Sequence, residues 1–106
     1  MTTSSQAKFA VGQIVQHLLF GYRGVIIDVD PGFQGPEEWY TKMVSGKPAK
    51  DKPWYHILVH GSVHRAYAAE GQLEQDPSDD AIEHPELEYF FDDFKNGVYQ
   101  QRRTTN

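Results

Sequence analysis

The sequence predicts a mainly β protein, a small and strongly bent antiparallel barrel built from hairpins. In residues 9–31 a short apolar run, a glycine-flanked break at 21–24 and an alternating run follow one another. In residues 53–73 two alternating runs are joined by Gly61 and Ser62. Alternation of apolar and polar residues is typical of half-buried strands, and a Gly-containing pair between two such runs is typical of a hairpin.

Length and composition narrow the class of protein. The chain has 106 residues, about one domain, and no cysteine, which excludes disulfides and thiolate chemistry. Its formal net charge of −5 comes entirely from residues 76–106, because residues 1–75 carry equal numbers of basic and acidic side chains. The polar N-terminus is unlike a signal peptide and no apolar run is long enough to span a membrane, so we expect a cytoplasmic protein.

In the first hairpin, strands are expected near residues 13–20 and 22–30. Gly21 and Gly24 allow the positive φ or close approach that a bulged corner needs. On the second strand, side-chain alternation separates two faces. The β-branched face is the predicted core side, and it comprises Val25, Ile27 and Val29, with Ile26, Asp28 and Asp30 opposite.

The long connection after this hairpin is predicted to contain a short helix. Pro36 followed by Glu37 and Glu38 is typical of a helix start, and the helix is expected over 36–43 with a stop at Gly46. Residues 47–53 are predicted to be an extended polar connector.

The second hairpin has a defined register if Gly61 and Ser62 form a two-residue turn. His60 then lies opposite Val63, Leu58 opposite Arg65, and His56 opposite Tyr67. One face is predicted to be core: Tyr55, Ile57, Val59, Ala66 and Ala68, with His64 at its end. The other is predicted to be an exposed aromatic and cationic surface suited to binding: Trp54, His56, Leu58, His60, Val63, Arg65 and Tyr67.

The C-terminal segment carries a helical pattern. Leu87, Phe90, Phe91, Phe94 and Val98 recur at helical spacing, which predicts a helix over about 85–96 that ends near Gly97 and packs its apolar stripe on the barrel. A partner-binding role for that stripe is the alternative. The predicted organisation is a disordered N-terminus (1–7), a barrel (8–75) and an acidic segment (76–106).

No constellation of catalytic or metal-binding residues stands out. His56 and His60 share a strand face while His64 points away, so no third ligand is evident. Asp28 and Asp30 are interpreted as strand carboxylates before a turn. Phosphate loops, nucleophile elbows and cysteine nucleophiles are absent from the sequence, so we predict no enzyme, no metal and no cofactor.

The candidate binding residues therefore lie on the two hairpins. Tyr22 and Arg23 at the first corner fit either a stacking and phosphate contact or a corner tyrosine beside a solvent-facing arginine. The full candidate set is Tyr22, Arg23, Trp54, His56, Leu58, Arg65 and Tyr67.

Several blocks resemble the YccV-like hemimethylated DNA-binding domain, the family of heat shock protein HspQ. The resemblance covers about residues 8–95. It is carried by Phe9-x-x-Gly12-x-x-Val15-x-His17, the block 21–25, the block 28–31, Pro53-Trp54-Tyr55-His56, Glu70-x-x-Leu73, His84-Pro85 and the pair Phe90 and Phe91.

The resemblance implies an SH3-like barrel, self-assembly and no catalytic residues. It also implies two functions: preferential binding to hemimethylated DNA, and modulation of proteolysis by ATP-dependent proteases under stress. A neutral barrel with an acidic tail lacks the basic surface of a strong DNA binder. We therefore predict a protein-binding stress factor that acts on proteases or their clients, with DNA binding as the alternative.

Overall fold

The computed structural model describes residues 6–44 and 46–103. Most of the predicted disordered N-terminus, residues 1–5, lies outside the described residues. Within the described part, no helix is long and apolar enough to cross a membrane.

A five-stranded antiparallel sheet forms the body of the fold, which confirms the mainly β prediction. Its strands lie in the order β4-β3-β2-β1-β5, so β4 and β5 are edges and the ladder does not close into a complete barrel. Their bounds are β1 (Ile14–His17), β2 (Arg23–Asp30), β3 (Trp54–Val59), β4 (Arg65–Ala69) and β5 (Leu73–Gln75), with a 3-10 turn at Glu70–Gln72 before β5.

Both faces of this sheet are covered, which corrects the predicted core face of β2. Val25 and Ile26 are both fully buried, on opposite faces and in different apolar clusters. The pairing with β3 shifts between Ile26 and Asp28, leaving Ile27 as a bulge. Because the extra residue reverses the alternation beyond it, Val29 packs on the Ile26 side rather than with Val25.

The insert helix α1 (Glu37–Met43) confirms the helix predicted after Pro36. It packs on one end of the sheet, where Tyr40 and Trp39 surround the indole of Trp54 together with Phe33. Trp54 is therefore fully buried, and its Nε1 donates to the carbonyl of Ala49 at 3.0 Å. The prediction that Trp54 is exposed is wrong because α1 covers that part of the face.

The register predicted for the second hairpin is confirmed, since Leu58 pairs with Arg65 and His56 with Tyr67. The connection is longer than two residues: β3 ends at Val59 and β4 begins at Arg65. Leu58 is fully buried rather than exposed, because residues from the C-terminal segment pack over it.

The C-terminal segment contains the predicted helix only in part. Helix α2 spans Leu87–Phe90, and the predicted continuation to residue 96 is wrong because β6 (Phe91–Lys95) and β7 (Val98–Gln101) form a further hairpin, the C-terminal hairpin. Asn96 and Gly97 have φ values of 54° and 77°, as a tight hairpin turn with two left-handed residues requires. Gly97, predicted to end a helix, instead lies in the turn between β6 and β7.

This hairpin is attached to the sheet through its backbone. The amide of Tyr99 donates to the carbonyl of Gly12 at 2.8 Å, and Gln13 bridges to Val98. The contact is close enough that a Cβ at Gly12 would lie 2.1 Å from the carbonyl oxygen of Tyr99. Phe91 and Tyr99 pack against Leu58 in one apolar cluster, so Leu58 is buried although it was predicted to be exposed.

Candidate binding groove

A concave region of about 480 Å³ lies between the corner that joins β1 to β2, helix α1 and the outer part of β3 and β4. We call it the aromatic groove. Its side chains come from three separate stretches of sequence and are mostly aromatic or apolar: His17, Phe20, Tyr22, Pro36, Trp39, Met43, Val44, His56, Arg65, Ala66, Tyr67 and Gln72.

The wall formed by the β1–β2 corner is organised by His17. This imidazole is 3% exposed, and its Nδ1 accepts hydrogen bonds from the amides of Leu19 (3.2 Å) and Phe20 (3.1 Å). Its ring stacks on Phe20 at 4.7 Å. Burial lowers the pKa of His17, which favours the neutral imidazole that can accept these bonds. The corner therefore presents Phe20, which remains 64% exposed.

The opposite wall is centred on Tyr67. Its ring lies 5.8 Å from Trp39 and 5.2 Å from Trp54. Its hydroxyl donates to Asp30 Oδ2 at 2.7 Å and accepts from the amide of Gln34 at 2.9 Å. Burial, with the hydrogen bond to Asp30, raises the pKa of Tyr67 to about 12. The ring is thus held in place and stays neutral at physiological pH.

His56 stands next to Tyr67 on the neighbouring strand. The two rings are 4.5 Å apart, and His56 Nε2 lies 3.0 Å from Asp30 Oδ2. Asp28, Asp30 and His56 form a group whose possible metal-ligand atoms all lie within 4.8 Å of one another. Spacing along the chain does not indicate this group, because it is the pairing of β2 with β3 that brings His56 to the two aspartates.

The two arginines of the candidate set are engaged with carboxylates. Arg23 Nη2 lies 3.1 Å from Asp76 Oδ2, and the Asp76 side chain is only 2% exposed. Arg65 donates through Nε to Glu86 Oε1 at 3.0 Å and lies over the ring of Phe90 at 5.4 Å. Arg23 is therefore held by a buried carboxylate, whereas the Arg65 side chain is 54% exposed and its ion pair lies at the surface.

The structure brings four of the seven candidates together and separates three. The four that line the groove are Tyr22, His56, Arg65 and Tyr67. Burial of Tyr22 raises the pKa of its hydroxyl to about 12. Trp54 and Leu58 are core, and Arg23 pairs with the buried Asp76 instead of facing solvent.

Three prominent groove residues were not among the candidates predicted from the sequence. Trp39 and Met43 lie one helical turn apart on α1, and Phe20 precedes Gly21 at the corner. Met43 is 65% exposed. The i, i+4 apolar pair on a short, otherwise polar helix was the available signal.

The fold and the groove together define a small β-sheet binding domain with an aromatic concavity. The profile of the family described as hemimethylated DNA-binding protein, YccV like, matches residues 7–98. This match spans most of the chain, and the protein belongs to that family.

Proposed function

We propose that this protein is a non-enzymatic, HspQ-like stress factor that modulates degradation by ATP-dependent proteases in the cytoplasm, using the aromatic groove to hold a segment of a protein partner. The observation that carries the proposal is the groove itself. Phe20 and Met43 are exposed at its rim, and Tyr67 and Trp39 form a firm wall behind them. Aromatic rings and methionine are enriched at the centres of protein interfaces.

Charge supports a protein partner. The net charge is −5, and the acidic excess lies in residues 76–106. Part of that segment adjoins the groove, because Glu86 binds Arg65. A partner segment with an apolar or aromatic anchor and basic neighbours would match this surface, whereas a phosphate backbone would be repelled.

The test is degradation of a client protein by the purified protease, with and without this protein. Phe20→Ser/Met43→Ser removes two exposed groove side chains at little expected cost in stability. The matched control is Val63→Ser/Tyr89→Ser, which removes two side chains that are 68% and 78% exposed and lie outside the groove. We expect wild type and control to change the degradation rate alike, and the groove variant to lose most of the effect.

Two outcomes would contradict the proposal. One is equal activity of the groove variant and the wild type. The other is that no variant changes any rate while the wild type binds hemimethylated duplex much more tightly than unmethylated duplex. Analytical ultracentrifugation of the same variants tests whether the groove instead holds a second copy of this chain, since the edge strands β4 and β5 also offer pairing sites.

Binding of hemimethylated DNA is the second candidate function, and membership of the family favours it. The aromatic groove offers rings on which a base can stack. Among the described residues that line the groove, Arg65 is the one Lys or Arg side chain, so few phosphates could be neutralised there. A salt titration with unmethylated, hemimethylated and fully methylated duplexes would test this, and we expect a slope equivalent to about two to four phosphate contacts.

A further inference from the structure

The bulge in β2 creates a cluster of metal-ligating side chains. Before the bulge Ile26 pairs with Ile57, and after it Asp28 pairs with His56. Without the extra residue, Ile27 would stand opposite His56 and the carboxylate would point to the other face. The bulge therefore places Asp28, Asp30 and His56 on one face, with their possible ligand atoms within 4.8 Å of one another.

Hydrogen bonds orient both carboxylates and leave oxygen atoms free. Asp28 Oδ1 accepts from the amide of Val29 at 2.9 Å, and Asp30 Oδ2 accepts from Tyr67 at 2.7 Å. Within residues 6–44 and 46–103, no protein group donates to Asp28 Oδ2 or to Asp30 Oδ1. Outer hydrogen bonds of this kind fix the ligands of metal sites in position.

The charge of the cluster is incompletely balanced. In the described part of the chain, the ion-pair partner of Asp30 is His56 itself, and Asp28 has none. Two neighbouring carboxylates repel one another, and a divalent cation removes that repulsion. Ligands about 2.1 Å from a tetrahedral ion lie roughly 3.4 Å apart, so the Nε2–Oδ2 separation of 3.0 Å would open slightly and the wider separations, up to 4.8 Å, would close. Metal binding would also replace the Nε2 proton that bonds Asp30.

We infer that Asp28, Asp30 and His56 form a site for a divalent transition-metal ion, with Zn²⁺ as the preferred occupant. An imidazole nitrogen with carboxylate oxygens suits Zn²⁺ better than Mg²⁺ or Ca²⁺, which favour oxygen ligands alone. Three protein ligands leave one tetrahedral position for water. His56 also lines the aromatic groove, so the ion would lie at its rim. The inference does not depend on which partner the groove binds.

The test is titration of the metal-free full chain with Zn²⁺ by calorimetry, and with Co²⁺ by absorption spectroscopy. We expect one ion per chain, bound at least tenfold more weakly by Asp28→Asn and by His56→Gln. Asp28 is exposed, so its variant tests the site even if His56→Gln folds poorly. The matched controls are His64→Gln and Asp51→Asn, which remove an exposed histidine and an exposed aspartate outside the cluster and should leave affinity unchanged.

A readout specific to the oriented site is Tyr67→Phe, which removes the hydroxyl that positions Asp30. We expect about a tenfold loss of Zn²⁺ affinity. The inference is overturned if the wild type shows no saturable Zn²⁺ binding. It is equally overturned if the control variants lose as much affinity as the cluster variants, since that would indicate scattered binding by surface side chains.

Discussion

Removing the guanidinium of Arg23 should destabilise the protein severely. In Arg23→Met the carboxylate of Asp76, whose side chain is 2% exposed, loses its partner at 3.1 Å. Ser78 still donates to it through its hydroxyl at 2.6 Å. Removing one partner of a buried pair costs about 3 to 5 kcal/mol. The Ser78 bond places the expected loss near the lower end, about 3 kcal/mol, against a total of about 5 to 15 kcal/mol for a typical domain.

The measurement is urea denaturation followed by tryptophan fluorescence. Lys95→Met is the matched control, because it breaks an exposed pair with Asp93 in which the side chains are 68% and 51% exposed. That pair should contribute less than about 1 kcal/mol. Arg23→Met/Asp76→Asn should recover part of the lost stability, because it removes the uncompensated charge.

Acid unfolding provides a second readout of the same pair. Burial tends to raise the pKa of Asp76, but hydrogen bonds from Arg23 and Ser78 outweigh it and hold the pKa below its ordinary value of 3.8. A lowered pKa in the folded state stabilises the protein above the ordinary value, and this contribution is lost as the pH falls below it. In Arg23→Met the hydrogen bond and the charge of Arg23, which lower this pKa, are lost, so acid unfolding should begin at a higher pH than in the wild type.

The reasoning would be refuted if Arg23→Met lost no more stability than Lys95→Met. It would also fail if the double variant were no more stable than Arg23→Met at neutral pH. Either result would mean that the Arg23–Asp76 pair contributes little to the stability of the folded state.

Three further predictions concern the core, the corner and the C-terminal turn. Leu58→Ala should cost about 2 to 5 kcal/mol in urea denaturation because Leu58 is fully buried, whereas Val63→Ala at an exposed site should change stability by less than about 0.5 kcal/mol. Burial lowers the pKa of His17 below its ordinary value of 6.5. The stability of the wild type should therefore fall as the pH drops below 6.5, and the fall should be smaller in His17→Gln. An identical pH profile in the two proteins would contradict the role of the neutral ring. Gly97→Ala should cost about 1 to 2 kcal/mol because φ is +77°, while Gly71→Ala, which has open space and no positive φ, should be neutral or slightly stabilising in thermal unfolding.

The strand register and the insert helix were predictable because their signals are local. The pairing of Leu58 with Arg65 follows from two alternating runs on either side of Gly61 and Ser62. The pairing is observed although the connection is longer than the predicted two-residue turn. Helix α1 follows from a proline and two acidic residues at its start.

The C-terminal hairpin shows two local signals in conflict. The spacing of Leu87, Phe90, Phe91 and Phe94 fits a helix, while Asn96 and Gly97 form a strong hairpin turn signal. Contacts with the sheet decide between them, since Tyr99 bonds to Gly12 and Phe91 enters the core as part of a strand.

By itself the sequence determined the fold class, the family and the partner residues across the second hairpin, because these depend on short-range pattern and pairing. Tertiary structure alone decided which face is exposed, since burial depends on what packs there from distant parts of the chain. Helix α1 covers Trp54, and the C-terminal hairpin covers Leu58. The β2 bulge, which brings Asp28 opposite His56, likewise depends on a partner strand about thirty residues away.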